Sequence, residues 1–149
     1  MSQQRTLLLS LRPRYVNAIL TGDKTTELRR RPINARPGTP IILYASSPVM
    51  AVVGTARLGN VHSCAPSVAW RRHRTALGLS RAEFDAYLDG AAKAYLLELR
   101  HVQRLNEPLP LRRLREQAPF QPPQSFRYIA ASDPSTLHEL AAMSGKVAV

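Results

Sequence analysis

Apolar positions recur along this chain in short blocks whose period changes from two to about four and back, separated by glycine and proline. Thr6 to Leu11 is a compact apolar run bounded by Gln4-Arg5 and Pro13, which predicts a short buried strand. Pro13 suits the first turn of a helix, and Tyr15, Val16, Ile19 and Leu20 follow at helical spacing until Gly22 stops it. Thr25 to Arg31 reads as a strand with Glu27, Arg29 and Arg31 on one face and Thr26, Leu28 and Arg30 on the other. Pro32 to Pro40 is a surface loop, and Ile41 to Ala45 a second apolar strand broken by Ser46-Ser47-Pro48. Met50 to Val61 predicts another strand, with Gly54 as a bulge or a point of close approach.

Two helices follow. The first has Val68, Ala69, Trp70 and Leu77 as its apolar residues, is capped by Ser63 or Ser67, and ends near Gly78. The second opens on Ser80 with Glu83 three residues on, the spacing of a capping box, carries Phe84, Tyr87 and Leu88 on one face, and is ended by Gly90. Lys93 to Leu105 alternates as a long strand, Pro108-Leu109-Pro110 punctuates, and Leu111 to Glu116 forms a short helix. Phe126 to Ala130 is a last strand after the Pro119 to Pro123 loop, and Asp133-Pro134 opens a closing helix through Leu137, Leu140 and Ala141. Because most strands are not separated by crossover helices, the order predicts an α+β fold with a mainly antiparallel sheet or small barrel.

The chain has 149 residues, which makes one domain over 1–149 the default, with a core over about 6–131 and a closing helix at about 134–143. One cysteine excludes an intramolecular disulfide framework, and no apolar run approaches the roughly 18 residues of a membrane span. Three leucines after the polar start are too few for a signal peptide, so a cytoplasmic protein without membrane contact is expected.

Charge alters this picture. Twenty-one Lys+Arg stand against ten Asp+Glu, a formal charge of +11, and all the Lys are Lys24, Lys93 and Lys146. A GC-rich genome accounts for arginine in place of lysine, but not for the positive excess. Arginine's planar fork suits phosphates and base edges, so a polyanion is the expected partner. The excess is clustered from Arg5 to Arg36, from Arg57 to Arg81 and from Arg100 to Arg115, while acids gather at Glu83, Asp85 and Asp89.

Three segments carry a more specific signal. They are Ser10-Leu11-Arg12-Pro13-Arg14-Tyr15 running on to Gly22-Asp23-Lys24-Thr25-Thr26-Glu27-Leu28-Arg29, then Tyr44-Ala45-Ser46-Ser47-Pro48, then Pro122-Pro123-Gln124-Ser125-Phe126-Arg127-Tyr128. Together they resemble the ASCH-domain family of the PUA-like superfamily, whose signature is a helix followed by a Gly-x-Lys-x-x-Glu-x-Arg turn and strand. The Trp70 helix and the Glu83-Phe84-Asp85-Ala86-Tyr87 helix resemble a bacterial subgroup described as predicted transcriptional regulators. The resemblance implies a barrel of five or six mostly antiparallel strands with surrounding helices. It also implies an RNA-binding or modified-nucleotide-binding cleft beside the first helix, lined by the Lys-Glu-Arg segment.

The residues of that segment support such chemistry on their own. Lys24 sets an ammonium at a helix–strand junction, able to meet a phosphate or polarise a carbonyl. Glu27 and Arg29 offer an acceptor pair beside a donor fork, suited to base edges. Equally, Glu27 and Arg29 can pair with each other, or with Arg12, as a structural salt bridge. Ser46, Ser47 and Ser125 are small donors beside prolines, and Arg12, Thr25, Arg31, Arg71 and Arg72 complete the candidate nucleic-acid-binding set. Arg71, Arg72 and Arg74 are as well explained as a solvated helix face. RNA or a nucleotide is the expected partner and DNA an open alternative; the oligomeric state stays open.

A small ASCH branch hydrolyses acetylcytidine with a Lys, a Thr and a Glu. Lys24 matches that Lys, but Glu27 stands where the Thr is expected, and no acid occurs between Arg57 and Arg81 for the Glu. Glu83 is the first acid and fits an exposed capping position. Other members are ribonucleases, for which Lys24, with His62 or His73, is the candidate catalytic group. No cofactor is expected. His62, His73, His101 and His138 lack metal-ligand spacing with Cys64, and Trp70 reads as core rather than as a base-stacking platform.

Overall fold

A computed structural model describes residues 5–144. The elements run β1 (Leu7–Leu11), α1 (Pro13–Thr21), β2 (Thr26–Arg29), β3 (Pro40–Ala45), β4 (Ala51–Cys64), α2 (Pro66–Leu77), α3 (Arg81–Tyr87), β5 (Ala94–Pro110), α4 (Leu111–Gln117), β6 (Phe126–Tyr128) and α5 (Ser135–Ser144). The strands form one curled six-stranded sheet in the order β2-β5-β4-β3-β1-β6. All neighbours are antiparallel except β1 and β3, which run parallel with Leu7 opposite Ile41. The expected α+β fold is present, and the expected barrel is a half-barrel with edge strands β2 and β6.

Both faces of the central strands are covered, so β1 and β3 read as unbroken apolar runs rather than alternating ones. Leu7, Leu9, Ile41 and Leu43 turn inward with Val16 and Ile19 of α1. Leu8, Ile42 and Tyr44 turn outward onto Leu111 and Leu114 of α4 and Leu137 of α5. A third cluster joins Leu28 of β2 and Leu96 of β5 to Ala69 and Leu77 of α2 and Phe84 of α3, and it carries α2 and α3 over the β2 edge.

Gly54 is both things its position suggested. The β3–β4 register shifts at Leu43/Tyr44, leaving Val53 as the extra residue of a bulge. A Cβ at Gly54 would lie 2.7 Å from the Gln103 carbonyl oxygen and 2.7 Å from Leu20 Cδ2. The Ser80–Glu83 capping box is also present in both its hydrogen bonds.

Several boundaries differ from expectation. β4 and β5 pair from Ala51↔Pro110 to Cys64↔Ala94, so Ser63 belongs to a strand and Pro108-Leu109-Pro110 continues one. Helix α2 therefore starts later, with Ala65 at its N-cap, Pro66 at its first position and no side-chain cap. Helix α3 ends before Gly90, at Tyr87 with Leu88 as its cap. Asp133 does not cap α5; its carboxylate accepts from the Arg127 guanidinium and from the Ala130 N–H.

Candidate functional site

A cleft of about 730 Å³ opens where α1, β2 and α3 meet, a volume within the roughly 300–1,000 Å³ of small-molecule sites. Its lining includes Arg12, Arg14 and Tyr15 from the start of α1, Lys24, Glu27 and Arg29 from the segment after it, and Glu83 and Tyr87 from α3. Ser10, Ser46 and Gln124 close the rim.

Local sequence explains how Lys24 arrives there. Gly22 takes the left-handed conformation (φ 89°) that ends α1, and the Lys24 N–H then donates to Ala18 O at 3.0 Å. The next N–H, of Thr25, donates to Ala76 O, and Thr25 O accepts from Leu99 N, which pins the turn between α2 and β5. The Lys24 side chain is thereby driven inward and is 2% exposed.

Its ammonium donates to Leu77 O at 2.5 Å, and Leu77 is the last residue of α2. Carbonyls in the last turn of a helix have no partner within it and sit at the negative end of its dipole, so a buried cation there acts as a cap. The close approach is visible at Gly78, whose added Cβ would sit 3.0 Å from Lys24 Cβ. The ammonium also lies 3.6 Å from Glu27 Oε1 and 5.7 Å from the Tyr15 ring centre. Burial pulls the Lys24 amine below its ordinary value, and Glu27 pulls the other way. Lys24 is the base of the cleft, tied into the fold.

Glu27 is 5% exposed and its oxygens are occupied. Oε1 accepts from the Leu28 N–H at 2.9 Å and Oε2 from Arg29 Nη2 at 3.2 Å. Of the pairings open in the sequence, Glu27 thus takes Arg29, on the same strand face, and no bond joins it to Arg12 among the described residues. Arg29 Nη1 donates to Ser125 Oγ at 2.6 Å, and Arg29 Nε is buried with no acceptor.

Across the cleft, Arg14 donates both terminal nitrogens to Glu83, at 2.5 and 2.9 Å, and the Tyr15 hydroxyl donates to the same carboxylate at 3.2 Å. The Ser80 backbone N–H and the Arg14 guanidinium hold the Glu83 carboxyl down at about 2. Glu83 does occupy the capping position expected of it, and it also clamps α3 to α1. Both carboxylates of the cleft are spent on internal partners. Among the described residues Arg12, exposed at the rim, has none, so its charge is available to a ligand.

The structure brings together Arg12, Lys24, Glu27, Arg29 and Ser46 in the cleft lining, with Ser125 bonded to Arg29. Thr25, Arg31, Ser47, Arg71 and Arg72 are exposed and lie outside that lining. Arg14, Tyr15 and Tyr87 are not among the sequence candidates, and Glu83 figures there only as the first acid for the hydrolase role and as a capping residue. The signal for Tyr15 and Tyr87 is helical spacing, three from Arg12 and four from Glu83, and it says nothing of the contact that Arg14 and Tyr15 make with Glu83, 69 and 68 residues away. His62 and His73 stack on each other, ring centres 6.2 Å apart, away from the cleft. Trp70 packs against Phe84 at 5.1 Å, in keeping with a core role. Among the described residues no three His, Cys, Asp or Glu side chains gather as metal ligands, and no helix is long and apolar enough to cross a membrane.

Comparison with known proteins agrees with this architecture. The family model described as the ASCH domain matches residues 9–106. A protein of Zymomonas mobilis named "ASCH domain-containing ribonuclease" is 34% identical over 134 residues, covering 89% of this chain and 90% of that one. The crystal structure of ASCH from Zymomonas mobilis superposes with a TM-score of 0.84 at 32% identity, over 93% of this chain and 96% of that one. A Pseudomonas putida crystal structure shares the fold at a TM-score of 0.58 and 15% identity, over 91% of this chain and 99% of that one.

Proposed function

The chain belongs to the ASCH domain family, and from that premise we propose that it binds RNA, as a single-stranded segment or a modified nucleotide, in the cleft between α1, β2 and α3. The observation that carries this reading is the state of the charges. Arg14, Lys24 and Arg29 are paired with the two carboxylates of the cleft, and Arg12 is the cation there left without a partner among the described residues, in a chain of charge +11. Arg12 then meets phosphate and base acceptors, while the half-exposed Tyr87 offers a ring face. Sequence-tolerant stacking beside a basic groove is how single strands are held.

Binding of a labelled single-stranded RNA, followed by fluorescence anisotropy between 50 and 200 mM salt, tests the proposal. A few phosphate contacts predict a loss of about tenfold or more over that range. Arg12→Ala should weaken binding and reduce the salt slope by about 0.7, the share of one phosphate on a single strand. Absent binding, or affinity indifferent to salt, overturns the reading. A DNA strand of the same sequence, run as competitor, decides between the two nucleic acids.

The name of the Zymomonas relative favours a second reading, in which bound RNA is cleaved. Its base would be the Lys24 amine, which burial makes easier to deprotonate. Incubation with labelled RNA, and with acetylcytidine for the hydrolase variant, separates turnover from binding alone. Regulation of transcription, expected from the resemblance to a bacterial subgroup, would be a use made of that same RNA binding.

A further inference from the structure

A second recess of about 330 Å³ lies beside the cleft, lined by Arg30, Arg31, Ala91, Ala92, Lys93 and Tyr95. We propose that it is a second nucleotide subsite, holding the neighbour of the nucleotide in the cleft, so that the ligand is an oligonucleotide rather than a free nucleoside. The proposal rests on the RNA-binding reading above and adds a position to it.

Register places the two sites side by side. In the β2–β5 ladder Tyr95 is the direct partner of Arg29, and Leu97 the partner of Glu27. Directly opposed side chains lie on the same face of a sheet about 5 Å apart. Tyr95 therefore continues the row that Glu27 and Arg29 begin in the cleft. The wall between the two spaces is the Arg30–Tyr87 contact, in which Arg30 Nη1 donates to Tyr87 O at 3.0 Å. Tyr87 lines the cleft and Arg30 lines the recess, so one hydrogen-bonded contact joins the linings of the two spaces.

The lining has the composition of a single-strand site. Three of its six residues are cations and none is acidic. Among the described residues neither Arg31 nor Lys93 has a hydrogen bond or an ion pair, so both charges are free for phosphate oxygens. Tyr95 lies near the start of β5, paired with Arg29 of β2 on one side and Ser63 of β4 on the other, with its ring half-buried, and a fixed ring accepts any base by stacking. Ala91 and Ala92 add small side chains to the same lining. The volume, near the lower end for ligand sites, suits one nucleotide. Arg31 thus serves the neighbouring position rather than the cleft.

The test compares uridine monophosphate with an oligouridine six-mer. The wild type should hold the six-mer more than tenfold tighter than the mononucleotide. Tyr95→Ala should lower six-mer affinity about tenfold and leave the mononucleotide unchanged, as expected for loss of one stacked base. Tyr95→Phe, which keeps the ring, should bind as the wild type does. Arg31→Ser with Lys93→Ser, both exposed and without internal partners, should reduce the six-mer salt slope by about 1.4 with the fold unaffected. If Arg12→Ala weakens the six-mer while the Tyr95 and Arg31/Lys93 variants do not, the second subsite is wrong and the cleft stands. If the wild type binds neither ligand, both fall.

Discussion

The Arg29 guanidinium donates to the Ser125 hydroxyl at 2.6 Å, joining edge strand β2 to the residue that leads into the opposite edge, β6. The sheet's hydrogen bonds do not close this seam, so side chains do. Tyr128 of β6 makes a similar crossing, its hydroxyl donating to Asn34 O at 2.5 Å, just beyond β2. The bond also orients Arg29 toward the cleft. Ser125→Ala should cost about 1.5–3 kcal/mol, the figure for a hydrogen bond to a charged group. It should weaken RNA binding more than that stability loss accounts for, because Arg29 is no longer fixed. Chemical denaturation and RNA titration of the same variant check the two parts, and unchanged RNA affinity counts against the orienting role.

Lys24 lies in the motif most suggestive of catalysis, yet it is bonded as a helix cap. Lys24→Met keeps the stem and removes the charge, leaving Leu77 O and Glu27 without their buried partner. Removing one member of a buried ion pair typically costs about 3–5 kcal/mol, and a loss near that size is expected in urea unfolding. A loss below about 1 kcal/mol would show that the capping bond matters little. Loss of activity in Lys24→Ala therefore has to be read beside its stability.

Glu83 predicts a response to acid. Its folded carboxyl titrates at about 2 against an ordinary 4.5, so the unfolded chain takes up the proton first as pH falls. The clamp's contribution is complete above about pH 4.5 and is lost as pH drops toward 2. Thermal unfolding followed by circular dichroism should show this loss in the wild type. Glu83→Gln should be less stable at neutral pH and flatter below pH 4.5. Parallel curves for the two proteins would remove the clamp from the account.

Gly54 tests the packing that seats α1. In Gly54→Ala the new methyl meets the Gln103 carbonyl oxygen and Leu20 at 2.7 Å, and the first is backbone that cannot swing aside. Overpacking of this kind costs about 1–3 kcal/mol. The same variant should lower RNA affinity, since α1 carries Arg12, Arg14 and Tyr15 into the cleft. A melting temperature equal to the wild type's would contradict the close approach.

Much of this architecture is written locally. Continuous apolar blocks marked β1 and β3 because both their faces are covered, and Ser80 with Glu83 spelled out a cap because both its bonds close within one turn. Glycine at 22 and the Lys24, Glu27, Arg29 spacing were legible for the same reason, since each depends on conformation within a few residues. The start of α2 was not, because Ser63 is claimed by a strand pairing that runs the full length of β4 and β5.

The amino-acid sequence by itself determined the elements, the strand face shared by Glu27 and Arg29, and the excess of positive charge around them. Tertiary structure alone decided which charges are free. It spent Glu83 on Arg14 and Tyr15 and turned Lys24 inward to close α2. It also curled the sheet until Arg29 met Ser125. Periodicity records which way a side chain points from its own strand or helix. Which groups meet depends on how those elements are laid against one another, and that is settled by the curl of the whole sheet and by the core that fills it.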